Sequence, residues 1–179
     1  MNKDLKIYAI SGKAQHGKDT VANALYEVLT EKGYRVLLTH YADLLKYIAK
    51  TFFDWNGEKD EKGRTLLQYI GTDVVRVERP DYWVEFIIDI LRLFGENWDY
   101  VIIPDTRFPN EIDKLKEYFE NVVHLRIVRP DFTSTLTPEQ LNHPSEIALD
   151  NIEPDYVFWN RGTIEDIKDK LMREPCFND

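Results

Sequence analysis

Residues 5–29 read LKIYAISGKAQHGKDTVANALYEVL, and the fold turns on them. Leu5, Ile7, Tyr8, Ala9 and Ile10 make a near-continuous apolar run, the pattern of a strand buried on both faces of a parallel sheet. This strand is expected at the centre of the sheet. Gly12-Lys13-Ala14-Gln15-His16-Gly17-Lys18 follows at once, and Val21, Leu25, Val28 and Leu29 then recur at helical spacing. A glycine-rich turn between strand and helix lets successive backbone N–H groups point into one concavity, and the helix N-terminus adds partial positive charge. Polyphosphate suits such a cradle. Gly12 and Gly17 permit backbone angles and close approaches that a Cβ would block, and Lys18 brings an ammonium to the transferring phosphoryl group. The pattern GxxxxGK[ST] places a hydroxyl directly after the lysine to reach Mg²⁺. This chain has Asp19 there and Thr20 one place later, so Asp19 is expected to hold the metal through water.

At 179 residues the chain is long enough for one α/β domain with a substantial core and too short for two of ordinary size. No run of about eighteen apolar residues is present, and MNKDLK lacks the apolar segment of a secretory signal. A cytoplasmic enzyme is therefore expected, with no membrane partner. The single cysteine, Cys176, has no partner for a disulfide or a structural zinc site and reads as a surface thiol. A formal net charge of −9 argues against a nucleic-acid polymer as partner, because phosphate backbones demand clustered Lys and Arg. Small phosphorylated ligands remain compatible with it, since a few cations can make a positive pocket on an acidic protein.

The βα pattern then repeats. Lys32-Gly33 reads as a helix end, and Val36–His40 as a second strand. Asp43 is placed to cap a helix whose Leu44, Leu45, Ile48 and Phe52 share a face. A polar stretch, 54–63, reads as a loop, and 64–76 as a short helical segment. Pro80-Asp81 opens a helix with Trp83, Phe86, Ile87, Ile90 and Leu91 in one stripe, ended by Gly95. Tyr100–Ile103 is a buried strand closed by Pro104, which puts Asp105 at a strand's C-terminal edge, where parallel α/β sheets bind ligands. Phe108, Ile112, Leu115 and Phe119 mark the next helix. Val122–Val128 and Tyr156–Trp159 are the fourth and fifth strands, and Thr163 opens the last helix with Asp166 at capping-box distance. Between those two strands, 129–150 is irregular and reads as a lid.

With these parts in place the chain resembles the P-loop nucleoside monophosphate kinases, and most closely the phage-type deoxynucleoside monophosphate kinases. The resemblance covers nearly the whole chain. It is seen in Ser11-Gly12 with Gly17-Lys18-Asp19-Thr20, in Ala42-Asp43-Leu44-Leu45-Lys46, in Leu67–Thr72, in Asp105-Thr106-Arg107-Phe108-Pro109-Asn110-Glu111 and in His143-Pro144-Ser145-Glu146. Adenylate kinases likewise carry Thr one place after the position next to the lysine, although their glycine loop differs and their lid is richer in arginine. The resemblance implies a three-layer P-loop NTPase fold, with a five-stranded parallel sheet, helices on both faces and a lid insertion. It also implies acceptor-binding helices at about 43–94, the lid at about 129–150, ATP as donor, Mg²⁺, and a nucleoside monophosphate as second substrate. Homodimerisation stays open.

Phosphoryl transfer asks mainly for two nucleotides held in line with their charges neutralised. On that logic Gly12, Lys13, Ala14, Gln15, His16, Gly17, Lys18, Asp19 and Thr20 cradle the ATP phosphates, and Asp19 with Asp105 anchors Mg²⁺ through water. Arg107, two residues beyond Asp105, offers a guanidinium fork for a monophosphate. Arg64 and Arg76 flank the segment bearing Gln68 and Thr72, against which the resemblance places the acceptor, with Lys46 and Trp83 close by. Gln68 and Glu111 have ends suited to a base edge. Arg129 opens the lid and is placed to reach the transferring phosphoryl group. Asn160, after the last strand, stands where similar kinases rest the adenine. His143, Ser145 and Glu146 are assigned no role beyond a lid contact. The competing readings are a P-loop kinase of another acceptor, a ribonucleotide or a phosphorylated metabolite, and a nucleotide-hydrolysing switch. The absence of an Asn-Lys-x-Asp run counts against the switch.

Overall fold

The computed structural model describes residues 4–58 and 60–177. Five strands, β1 (Lys6–Ser11), β2 (Val36–Leu38), β3 (Tyr100–Ile103), β4 (Asn121–Val128) and β5 (Tyr156–Trp159), form one sheet in the order β2-β3-β1-β4-β5. All four pairings are parallel. β1 is central and flanked on both sides, which is why its apolar run does not alternate with polar residues. The helices are α1 (Lys18–Glu31), α2 (Tyr41–Phe52), α3 (Glu61–Gln68), α4 (Tyr82–Phe94), α5 (Pro109–Tyr118), α6 (Pro138–Leu141), α7 (Pro144–Ile147) and α8 (Ile164–Arg173). None is long and apolar enough to cross a membrane.

Strand side chains point alternately to the two faces, and the register of β1 with β3 sorts them into two cores. Ile7, Ala9, Val101 and Ile103 pack with Trp83, Ile87 and Leu91 of α4 and Ile112 and Leu115 of α5. Tyr8, Ile10, Tyr100 and Ile102 pack with Val21, Leu25 and Leu29 of α1 and Ile167 and Leu171 of α8. The result is a three-layer α/β sandwich. Its ligand edge collects the strand C-termini, where the loop after β1 and the turn after β3 meet.

Several sequence expectations need correcting. Asp43 is not the N-cap of α2. His40 takes that position, and Asp43 sits in the first turn, its carboxylate accepting the His40 N–H at 3.1 Å. Phe52 and Phe86 leave the apolar faces assigned to them and are exposed, at 70% and 39%. On α4, Val84 and Ile88 fill the buried face instead. β2 stops at Leu38, short of His40. The C-terminal Cys176 is half-buried, because the adjoining Phe177 plugs the core against Tyr8, Tyr156 and Phe158. Its thiol is pushed up to about 11, first by burial. Residues Tyr69–Arg76 continue α3 as a π-helix, an element often found at functional sites.

Candidate active site

The loop after β1 needs both of its glycines. Gly12 has φ +144°, and a Cβ there would stand 2.5 Å from the Ile127 carbonyl oxygen. Gly17 has φ +81°, and a Cβ there would stand 2.3 Å from Asn160 Nδ2. Lys18 opens α1 and is 9% exposed, its Nζ donating to the Gly12 and Lys13 carbonyls at 2.8 and 3.1 Å. Burial, and then the Arg107 charge, pushes its ammonium down to about 8. Asp19 is largely exposed beside it, 3.4 Å from His40 Nε2.

Asp105 sits just beyond β3, as the sequence implies, but its carboxylate has a task that the sequence did not disclose. Its two oxygens accept the N–H groups of Tyr41 and Ala42 at 3.0 and 2.9 Å. These are orphan donors at the start of α2, so Asp105 fastens that helix to the ligand edge of the sheet. Burial raises its pKa against the pull of those donors.

Glu111 is 1% exposed and does not present a free end to a base edge. One oxygen accepts the N–H groups of Arg107 and Phe108 at 2.6 and 3.0 Å, and the other pairs with the Arg76 guanidinium. It thereby orders the turn that bears Arg107 and fixes Arg76, whose guanidinium lies 4.1 Å from the centre of the Phe108 ring. Burial pushes the Glu111 pKa up, with Arg76 the largest opposing influence.

A cleft of about 720 Å³ brings most of the expected residues together. Ala14, Gln15, Gly17, Lys18, Asp19 and Thr20 line it together with Asp105, Arg107 and Glu111, and so do Lys46, Thr72, Arg76, Trp83 and Arg129. Trp83 is both core and wall, since it is 3% exposed and its indole donates to the Gly71 carbonyl at 3.1 Å. Lys46 pairs with Asp43 at 3.0 Å. Gly12, Lys13 and His16 line a smaller cavity of about 180 Å³, which shares Arg107 with the main cleft.

Arg64, Gln68 and Asn160 line neither space. Arg64 is exposed on α3, and Gln68 bonds His143 of the lid segment at 2.9 Å. Asn160 donates to the His16 carbonyl at 2.9 Å and so braces the glycine loop from behind. Arg129 is exposed over the Phe132 ring, and its backbone N–H donates to His16 Nδ1 at 3.3 Å.

His40 escaped the sequence reading of the site, and Glu146 was given no role there beyond a lid contact. His40 lies between Asp19 and Asp43, at 3.4 Å from each. Glu146 reaches the glycine loop itself, accepting the Ala14 N–H at 2.7 Å and pairing with Arg107. The His143–Glu146 run was visible as a pattern, but nothing local in it points to a contact with residue 14.

Comparison with known proteins bears on the family and the fold. The family model for deoxynucleotide monophosphate kinases matches residues 45–171, a span that leaves out the glycine loop. The deoxynucleotide monophosphate kinase of Enterobacteria phage T4 is 36% identical over 111 residues, which cover 60% of this chain and 43% of the relative. That of Escherichia phage RB69 is 33% identical over 62% of this chain and 43% of the relative. The chain thus spans less than half the length of these two relatives. Among solved structures, the Mycobacterium tuberculosis APS kinase superposes with a TM-score of 0.51 at 10% identity, covering 93% of this chain and 94% of the other. A sugar kinase from Janibacter sp. HTCC2649 gives 0.54 at 15% identity, covering 94% and 92%. At such identities the likeness concerns the fold, and it fits the three-layer P-loop architecture. Because the family model matches well over half of its residues, the chain belongs to the deoxynucleotide monophosphate kinase family.

Proposed function

We propose that this protein transfers the terminal phosphoryl group of ATP to a deoxynucleoside monophosphate, giving the diphosphate. The observation that carries the reading is one cleft lined both by a phosphate-type glycine loop with Lys18 and by Arg76, Arg107, Thr72 and Trp83, groups beyond those that a triphosphate alone needs. A hydrolase needs no second set of cations. The family membership supports the choice of acceptor.

In this reading the loop N–H groups and Lys18 hold the donor phosphates and neutralise charge as it shifts toward the leaving oxygen. Arg107 stands between donor and acceptor and grips the monophosphate, while Arg76, held by Glu111, reaches it from the acceptor side. The segment at about 43–94 forms the acceptor wall. The segment at about 129–150 closes over the glycine loop, whose Gln15 is already bonded to Ser134 and Thr135 of that segment. Closure excludes water that would otherwise take the phosphoryl group.

The residues present fit Mg²⁺. Asp19 and Asp105 offer hard oxygen donors, and no cluster of three His, Cys, Asp or Glu among the described residues makes an all-protein cage. An ion held by Asp19 and Asp105 through water would take its other ligands from the phosphate oxygens. Bound there, Mg²⁺ would neutralise charge on the phosphates.

The test is to mix the protein with ATP and Mg²⁺ and measure ADP with and without each common deoxy- and ribonucleoside monophosphate. ADP release that depends on a deoxynucleotide supports the proposal. Release without any acceptor points to hydrolysis, and a preference for ribonucleotides moves the acceptor class.

A further inference from the structure

The lid segment sends an acid into the cations of the donor site. Glu146 has a side chain only 9% exposed, and its carboxylate is shared between the glycine loop and the transfer centre. One oxygen accepts the Ala14 N–H at 2.7 Å, and the other pairs with the Arg107 guanidinium. The Glu146 carbonyl takes a bond from Lys13 Nζ at 2.7 Å, and Lys13 also pairs with Asp150. A loop N–H, a guanidinium and a lysine ammonium are the groups that phosphate oxygens seek.

We propose that Glu146 is a phosphate surrogate that determines which ligands the site admits, its carboxylate occupying a loop N–H and Arg107 until a phosphoryl group displaces it. The inference rests on the donor half of the proposed function, a P-loop that binds polyphosphate, and is independent of the acceptor's identity. A carboxylate and a phosphoryl group are both anionic acceptors. They cannot share one N–H at hydrogen-bond distance without repulsion. Any ligand whose phosphate takes the Ala14 N–H therefore binds more weakly by the free energy of opening the contact. A ligand without phosphate leaves the contact untouched. Displacement also frees Arg107, so the arginine assigned to the acceptor becomes available only when a donor phosphate is in place.

Isothermal titration of the full chain tests this with inorganic tripolyphosphate, a non-hydrolysable ATP analogue and adenosine. Glu146→Gln removes the charge at nearly constant shape, and Glu146→Ala removes the carboxylate outright, with thermal melts confirming that each variant is folded. In a folded variant, tripolyphosphate and the analogue are expected to bind about tenfold tighter than to the wild type, equivalent to about 1.4 kcal/mol. Adenosine affinity is expected to stay unchanged. Unchanged or weaker tripolyphosphate binding overturns the inference, as does an equal gain for adenosine. A wild-type chain that binds neither tripolyphosphate nor the analogue overturns this inference together with the donor reading, an outcome distinct from the other two.

Discussion

Replacing Glu111 by alanine removes the acceptor for three donors at once, and the two oxygens divide the damage. Oxygen Oε2 takes the Arg107 and Phe108 N–H groups at the start of α5, and Oε1 pairs with Arg76. Breaking a buried ion pair from one side costs about 3–5 kcal/mol, because the other charge is left without its partner. Arg76 keeps 16% of its side chain exposed and can recover some water, which points to the lower end, about 3 kcal/mol. Losing the two cap bonds adds about 1–2 kcal/mol, so Glu111→Ala is expected to cost about 4–5 kcal/mol in all. At about 2–4 °C per kcal/mol for a chain of this size, that lowers Tm by roughly 8–20 °C. Glu111→Gln separates the terms, since its amide oxygen can still accept both backbone donors while its NH₂ faces Arg76. It should lose only the pair term and melt between the alanine variant and the wild type. Urea unfolding followed by circular dichroism, with the slope checked for constancy, gives both values. A loss below about 1 kcal/mol in the alanine variant would refute the reading of Glu111 as the residue that holds this corner together.

Three further outcomes follow from the site. Lys18→Ala should fold yet lower kcat at least about a hundredfold, because transition-state charge loses its partner; near-normal turnover in a folded variant would remove the P-loop assignment. Lys18 titrates near 8, below the 10.5 of an unperturbed lysine, so between those values the unfolded chain binds more protons and stability without ligand rises with pH. Phosphate binding favours the charged form, so affinity for an ATP analogue should fall as pH rises through about 8, with proton uptake on binding above it. Titration calorimetry in two buffers of different ionisation enthalpy measures that uptake, and its absence at pH 9 counts against a Lys18 contact. Arg107→Lys keeps the charge but loses the two-pronged geometry, so the acceptor KM should rise by about 1.5–3 kcal/mol equivalent while the ATP KM moves little. An ATP-only defect would instead assign Arg107 to the donor and leave Arg76 to hold the acceptor.

The central strand, the glycine loop and the order of βα units were legible in the sequence because they rest on local facts. A strand buried on both faces must be apolar throughout, and a phosphate cradle needs glycine where a Cβ would collide. Gly12 bears this out through a collision with the backbone of Ile127, distant in the chain, and Gly17 through its left-handed φ of +81°. Side-chain assignments made by local position fared less evenly. Asp105 stands at the ligand edge as expected, whereas Glu111 was read as facing a base edge and is buried; what their carboxylates bind, the first N–H groups of α2 for one and Arg76 for the other, depends on which elements the sheet order brings together. Phe52 and Phe86 were spaced as core residues, but helical periodicity does not say where the neighbouring layer ends. Glu146 is the extreme case. It meets Ala14 across 132 positions of chain, and an exposed-looking acid in an irregular segment has no local signature of the loop it will touch. Periodicity and backbone sterics are written in the order of residues, whereas the pairing of charges is decided only when the layers close and water leaves between them.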